Sequence, residues 1–289
     1  MHLAQMIFRN EALYGDQPAF DFHDRRWSWR ETAGRVRRLA AATRGLGLQT
    51  NDAVAVLSLN NTVYCESWFG LPLAGLRIVP LNIRLAVPEW QYLLTNSDSR
   101  ALLFDEGMQA GVEALRDADV PVEHYLFIGD PAQCPDWATS IESLMQAAEP
   151  FNEELTADQS LLGIMYTGGT TGLPKGVMLR HSALYLNAMA CREHIHVPAD
   201  GVQLLAAPLF HIAGFTSMTL SVMSGARTVI HESFDPKRVI ADCGRHAATN
   251  LTLVPAMIQL TFDHPDIRTT QIYTHVLGNR FAGVRSPLG

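Results

Sequence analysis

The chain has 289 residues, 47% hydrophobic and 18% charged, with 22 basic against 29 acidic side chains and a formal net charge of −7. Such a composition excludes a disordered tail or low-complexity scaffold, and a chain of this size can bury enough surface to fold without disulfide or metal staples. The acidic balance argues against general affinity for nucleic acid or anionic membrane, both of which attract clustered cationic charge.

In chain order, residues 18–29 alternate as a hairpin turning at His23–Arg25, and Ser28-x-x-Glu31 reads as a capping box that opens a helix. Val36, Leu39, Ala40 and Thr43 share one face of that helix, and Gly45 is its expected stop. Ala53–Leu59 reads as a buried strand, followed by a helix to about residue 75, a strand at Ile78–Leu81 and a helix opened by Pro88-Glu89. A strand at Ala101–Phe104, a helix near 108–117 and a strand at Val122–Ile128 precede a loop over Asp130–Trp137 and an acidic connector near 149–158. Leu161–Tyr166 is a strand that runs into a Gly/Thr-rich loop. Beyond it the pattern predicts helices at about 182–194 and 213–223, strands at Gln203–Ala206 and Arg227–His231, and a helix opened by Asp235-Pro236. A strand at Asn250–Val254 and a helix from Pro255 come last. This alternation predicts an α/β fold with mostly parallel sheets and packed helices.

Cys65, Cys134, Cys191 and Cys243 lie far apart without a Cys-x-x-Cys pair, which points away from a disulfide framework or zinc site. Cys191 and Cys243 read as core thiols. The first twenty residues carry Arg9, Glu11 and Asp16 and lack the apolar core of a secretion signal; no run reaches membrane-span length. The expectation is a cytoplasmic protein without a metal site. His23, His124, His194, His196, His231 and His246 form no ligand-like constellation and read as structural.

Tyr166-Thr-Gly-Gly-Thr-Thr-Gly-Leu-Pro-Lys175-Gly176 carries the most chemistry. Gly168, Gly169 and Gly172 permit close backbone approach, and successive N–H groups in such a loop can form an anion-binding nest. Thr167, Thr170 and Thr171 add hydroxyl donors, and Lys175 adds a compact cation suited to phosphate oxygens. Lys175 is one of only two lysines, beside twenty arginines. A Walker A loop needs Gly-Lys-Ser/Thr opening a helix, whereas here Pro174 precedes the lysine and a strand follows. The alternative is a solvated loop joining two strands.

Tyr166–Gly176 resembles the signature phosphate loop of the adenylate-forming superfamily, although Gly168 stands where many members have Ser. Pro80-Leu-Asn-Ile-Arg-Leu85, Pro208-Leu-Phe-His-Ile-Ala-Gly214 and Leu253-Val-Pro-Ala-Met257 resemble other segments of the same family, and the fatty-acyl type of acyl-CoA synthetase is the nearest subfamily. The resemblance covers residues 1–263 and implies the N-terminal portion of the family's large domain. It implies a two-step ligation: a carboxylate attacks the α-phosphorus of ATP, and coenzyme A then displaces AMP. The loop would grip the β- and γ-phosphates with Mg²⁺ bridging them, and Phe210 and His211 would border the acyl and adenylate pocket. For His211 the competing reading is a turn histidine satisfied by backbone.

The family's aromatic-Gly-x-Thr-Glu segment, its Thr-Gly-Asp segment, most of its adenine pocket and its C-terminal lid with the adenylation lysine have no counterpart here. The chain is expected to be an incomplete domain with no complete catalytic set, inactive alone, and open to self-association through exposed sheet edges. Residues 264–289 form a second segment that resembles the extreme C-terminus of a tyrosine recombinase, with Tyr273 at the nucleophile position and His264 nine residues before it. The recombinase's activating arginines, lysine and His-x-x-Arg box are missing, so this remnant is expected to be inactive. Residues 267–289 hold three arginines and no acid, while the preceding 266 carry 19 basic against 29 acidic residues. Such a composition shift fits a noncatalytic gene-fusion product; a DNA-binding remnant is the other alternative.

Overall fold

The computed structural model describes residues 2–151, 161–168 and 173–262. The chain begins with α1 (Gln5–Tyr14), for which the sequence pattern predicts no element. The expected hairpin follows as β1 (Pro18–Phe22) and β2 (Arg25–Ser28), turning through His23 at φ 52. Ser28 then caps α2 (Trp29–Gly45): its hydroxyl accepts from the Glu31 N–H at 3.2 Å, and the Glu31 carboxylate accepts from the Ser28 N–H at 2.7 Å. Val36, Leu39, Ala40 and Thr43 are all buried, as their shared face requires. Gly45 ends the helix, but the left-handed residue that turns the chain is Gly47, at φ 87.

β3 (Ala53–Leu57) is an unbroken apolar run buried along its length, the pattern of a strand covered on both faces. It is shorter than the expected strand, because Ser58 and Leu59 already belong to the turn before α3 (Thr62–Leu73). Every residue of α3 is buried. Then follow β4 (Arg77–Pro80), α4 (Val87–Ser97), β5 (Ser99–Asp105), α5 (Gln109–Arg116) and β6 (His124–Ile128). The 130–137 loop holds a short 3-10 turn at Pro131–Gln133. Two further elements that no pattern predicts, β7 (Thr139–Ser140) and α6 (Ile141–Ala147), precede β8 (Leu161–Thr167) and β9 (Lys175–Arg180). The remaining elements are α7 (His181–Arg192), β10 (Val202–Leu205), α8 (Ile212–Ser224), β11 (Arg227–Ile230), α9 (Pro236–Arg245), β12 (Asn250–Leu251) and α10 (Pro255–Phe262). β12 is two residues long, well short of the expected Asn250–Val254 strand.

Among the described residues the strands form two sheets. One has the order β7-β6-β5-β3-β4-β8-β9 and is parallel except for the β8–β9 hairpin. The other has the order β12-β10-β11-β1-β2 and is parallel except for β1–β2. Helices pack over the sheets, as the α/β reading expects. In the first sheet β4 lies on one side of β3 and β5 on the other, so the strand order reverses at β3. The crevice at the carboxyl ends of strands beside such a reversal is where open α/β sheets bind ligands.

Candidate functional site

The glycine-rich loop lies between β8 and β9, an antiparallel pair whose last registered partners are Thr167 and Lys175. The Thr167 hydroxyl donates to the Lys175 carbonyl at 3.5 Å, and both residues are exposed. Helix α4 braces both limbs of this hairpin. The Tyr166 hydroxyl donates to Asn96 Oδ1 at 2.6 Å, and the Tyr92 hydroxyl donates to the Pro174 carbonyl at 3.3 Å. A Cβ at Gly163 would run into the Ile78 carbonyl, so glycine there lets β8 lie beside β4. Among the described residues, a Cβ at Gly168 meets nothing within 4 Å. Gly169, Thr170, Thr171 and Gly172 lie outside the described residues.

His211 is the N-cap of α8. Its Nδ1 accepts from the Ala213 N–H at 3.2 Å, and the residue is exposed; Phe210 before it is half-buried. The backbone-satisfied turn is therefore present, and the exposed ring stands at the end of the helix. Gly214 is required one turn on, because a Cβ there would collide with the Pro208 carbonyl. Helix α7 packs against both β9 and α8 and so spans from the hairpin to the helix that His211 caps.

The pattern-based reading passed over Ser58, Asn60 and Asn61, in the turn after β3. Ser58 Oγ donates to Asp105 Oδ2 at 2.8 Å, tying together the carboxyl ends of β3 and β5. The Leu59 N–H donates to the same oxygen at 2.7 Å. Burial pushes the Asp105 carboxyl above its usual pKa against the pull of these donors. Asn61 caps α3, its Oδ1 accepting from the Tyr64 N–H at 2.8 Å. Asn60 instead reaches the other sheet: its Oδ1 accepts from the Leu209 N–H at 2.8 Å, and its Nδ2 donates to the Ala207 and His231 carbonyls at 3.0 and 3.1 Å. The signal was present in the sequence, a polar Ser-Leu-Asn-Asn cluster directly after an all-apolar strand.

His2 and His181 were missed too. Their rings lie 4.1 Å apart and both residues are buried; His181 Nδ1 accepts from the Leu3 N–H at 3.1 Å. Cys65, rather than Cys191 or Cys243, is the fully buried thiol. His231 and Asp242 form a buried pair at 3.2 Å under α9. His264 and Tyr273 lie outside the described residues. Among the described residues no group of three or more His, Cys, Asp or Glu side chains gathers to hold a metal ion, so none is assigned to Mg²⁺. No described helix is long and apolar enough to cross a membrane.

Known proteins resemble this chain along most of its length. The model of the AMP-binding enzyme family matches residues 7–285. The indoleacetate–CoA ligase of Aromatoleum aromaticum is 32% identical over 269 residues, 92% of this chain and 52% of the relative. The long-chain-fatty-acid–CoA ligase of Thermus thermophilus is 31% identical over 236 residues, 80% of this chain and 43% of the relative. The inhibitor-bound N-terminal domain of FACL13 from Mycobacterium tuberculosis superposes with a TM-score of 0.85 at 26% identity, covering 92% of this chain and 66% of that one. The chain thus spans about half the length of the curated relatives it matches. It belongs to the AMP-binding enzyme family and has the fold of the N-terminal domain of its acyl-CoA ligases.

Proposed function

We propose that this chain is the phosphate-gripping part of an AMP-forming carboxylic acid–CoA ligase. In the whole reaction a carboxylate oxygen bonds to the α-phosphorus of ATP as pyrophosphate leaves; the coenzyme A thiol then takes the acyl group as AMP leaves. The observation that supports the reading is the β8–β9 register, in which Thr167 and Lys175 are the last partners before the loop. Thr167, Gly168, Gly169, Thr170, Thr171, Gly172 and Lys175 bind the β- and γ-phosphates in this reading, by donor density and charge. Phe210 and His211 border the acid and the adenylate. The acids in the relatives' names range from indoleacetate and long-chain fatty acids to 4-hydroxybutyrate, so the proposal is kept to carboxylic acids as a class.

The chain spans about half the length of its curated relatives, so these residues are proposed as one part of the catalyst rather than all of it. The family match runs on to residue 285; the division into an AMP-binding portion at 1–263 and a recombinase-like remnant at 264–289, with His264 and Tyr273 inert, rests in this proposal on the sequence resemblance alone. Free cysteines fit a cytoplasmic setting. The exposed strand β9, which shows Val177 and Met178 at 44% and 67% exposure, is the edge through which copies would associate.

Two measurements test the reading. Pyrophosphate exchange with a panel of aromatic and fatty acids is expected to stay at the blank, and robust turnover would overturn the inactivity claim. Equilibrium binding of ATP is expected to weaken in Lys175→Ala; absence of binding, or indifference to the substitution, would overturn the loop assignment.

A further inference from the structure

Asn60 is 2% exposed, yet its backbone N–H and its side-chain carboxamide all bond outside its own sheet. The N–H donates to the Glu232 carbonyl at 3.1 Å, and the carboxamide holds Ala207, Leu209 and His231 as described above. Those partners lie at the carboxyl-end exits of β10 and β11. Leu209 immediately precedes Phe210 and His211, and the His211 N–H is in turn fixed on the Pro208 carbonyl at 3.0 Å. Two residues of constrained backbone therefore separate the Asn60 carboxamide from the start of α8.

We propose that Asn60 is a positioning residue for the acid pocket: by locking the Ala207–Leu209 backbone it sets where Phe210 and His211 stand. The proposal rests on the reading of those two residues as the acid-facing wall. Asparagine is the side chain the place requires, since one group must both accept from an N–H and donate to two carbonyls within a short reach. Aspartate keeps the acceptor but turns a carboxylate toward two carbonyl oxygens. Glutamine reaches one carbon too far. Leaving buried peptide groups unpaired costs more than the bonds themselves contribute, so the loop moves when the clamp is removed. Among the described residues, Thr167 and Lys175 bond to none of these groups, so acid binding and ATP binding separate.

The test uses the isotope-labelled full chain. Hydrogen exchange at the Leu209 amide is expected to be slow in the parent and about tenfold or more faster in Asn60→Asp and Asn60→Ser. Titration with dodecanoate and with indoleacetate is expected to shift the Phe210 and His211 resonances, with affinity about tenfold weaker in Asn60→Asp. ATP-induced shifts at Thr167 and Lys175 are expected to be unchanged. Equal acid affinity in parent and variant overturns the proposal, as does a parallel loss of acid and ATP binding. Acids that leave Phe210 and His211 unmoved in the parent, while ATP binds, overturn the acid-wall reading and this proposal with it. If neither variant folds, fast Leu209 exchange in the parent overturns the clamp and slow exchange supports it.

Discussion

Arg35 on α2 grips Glu66 on α3 with both prongs of its guanidinium, Nε to Oε1 at 2.5 Å and a terminal nitrogen to Oε2 at 3.0 Å. Glu66 is 1% exposed, so this pair sits within the packing of two core helices, and Glu142 of α6 closes on the other side of the same guanidinium at 2.5 and 3.0 Å. Burial works against the arginine's charge, but the two carboxylates outweigh it and hold its pKa above the usual value. Arg35→Ala strands the buried Glu66 carboxylate and is expected to cost about 3 kcal/mol in urea unfolding. Glu66→Ala leaves the guanidinium on Glu142 and should cost about 2 kcal/mol. Glu142→Ala, whose carboxylate is partly solvated, should cost about 1 kcal/mol; equal losses at all three positions would contradict this order.

The buried His2–His181 pair predicts an acid-sensitive fold. Burial, with the neighbouring His2 ring adding to it, lowers the His181 pKa to about 3 from 6.5. An imidazole with a depressed folded pKa takes up its proton more readily when unfolded. Its contribution is therefore complete above pH 6.5 and is lost as pH falls from 6.5 toward 3. Relative to His181→Gln, the parent is expected to lose roughly 2–4 kcal/mol more stability over that window. Parallel stability curves for the two proteins would remove His181 as the cause.

Glycine placement separates a packing role from a ligand-facing one. Gly163→Ala drives a methyl into the Ile78 carbonyl across the β4–β8 pair and is expected to cost about 2 kcal/mol. Gly168→Ala meets no described neighbour within 4 Å and should change thermal stability by no more than about 0.5 kcal/mol. Comparable losses would show that the loop mouth is closed.

The hairpin's brace and its charge are expected to respond differently. Tyr166→Phe removes the 2.6 Å bond to Asn96 and should cost about 1 kcal/mol of stability. Lys175→Ala, at an exposed position, should leave melting unchanged while weakening ATP binding about tenfold. Calorimetry on both variants reads the two effects independently.

If strand β9 associates edge to edge, a charge on it should block the process. Met178→Lys is expected to shift light scattering from oligomer to monomer without a change in secondary structure. A parent chain that is monomeric at high concentration would remove the idea.

The sequence by itself determined the elements that carry local signals. The Ser28/Glu31 box, the apolar face through Val36, Leu39, Ala40 and Thr43, the all-apolar run of β3 and the strand–loop–strand at 161–180 are written within a few residues of one another, where helical and strand periodicity act. The candidate phosphate loop was legible for the same reason: its glycines, hydroxyls and lysine are contiguous. Only the tertiary structure decided what depends on distant partners. Helix α1 has no side-chain cap, and it forms where Met6 and Ile7 are buried and Asn10 donates to the Val222 carbonyl at 2.7 Å. Strand β1 pairs with β11, aligning Phe20 with Thr228. Asn60 was one polar residue in a turn until folding set the exits of β10 and β11 around it. Pairings across such separations are selected by burial and by the cost of unpaired buried peptide groups, and neither is visible until the chain has closed on itself.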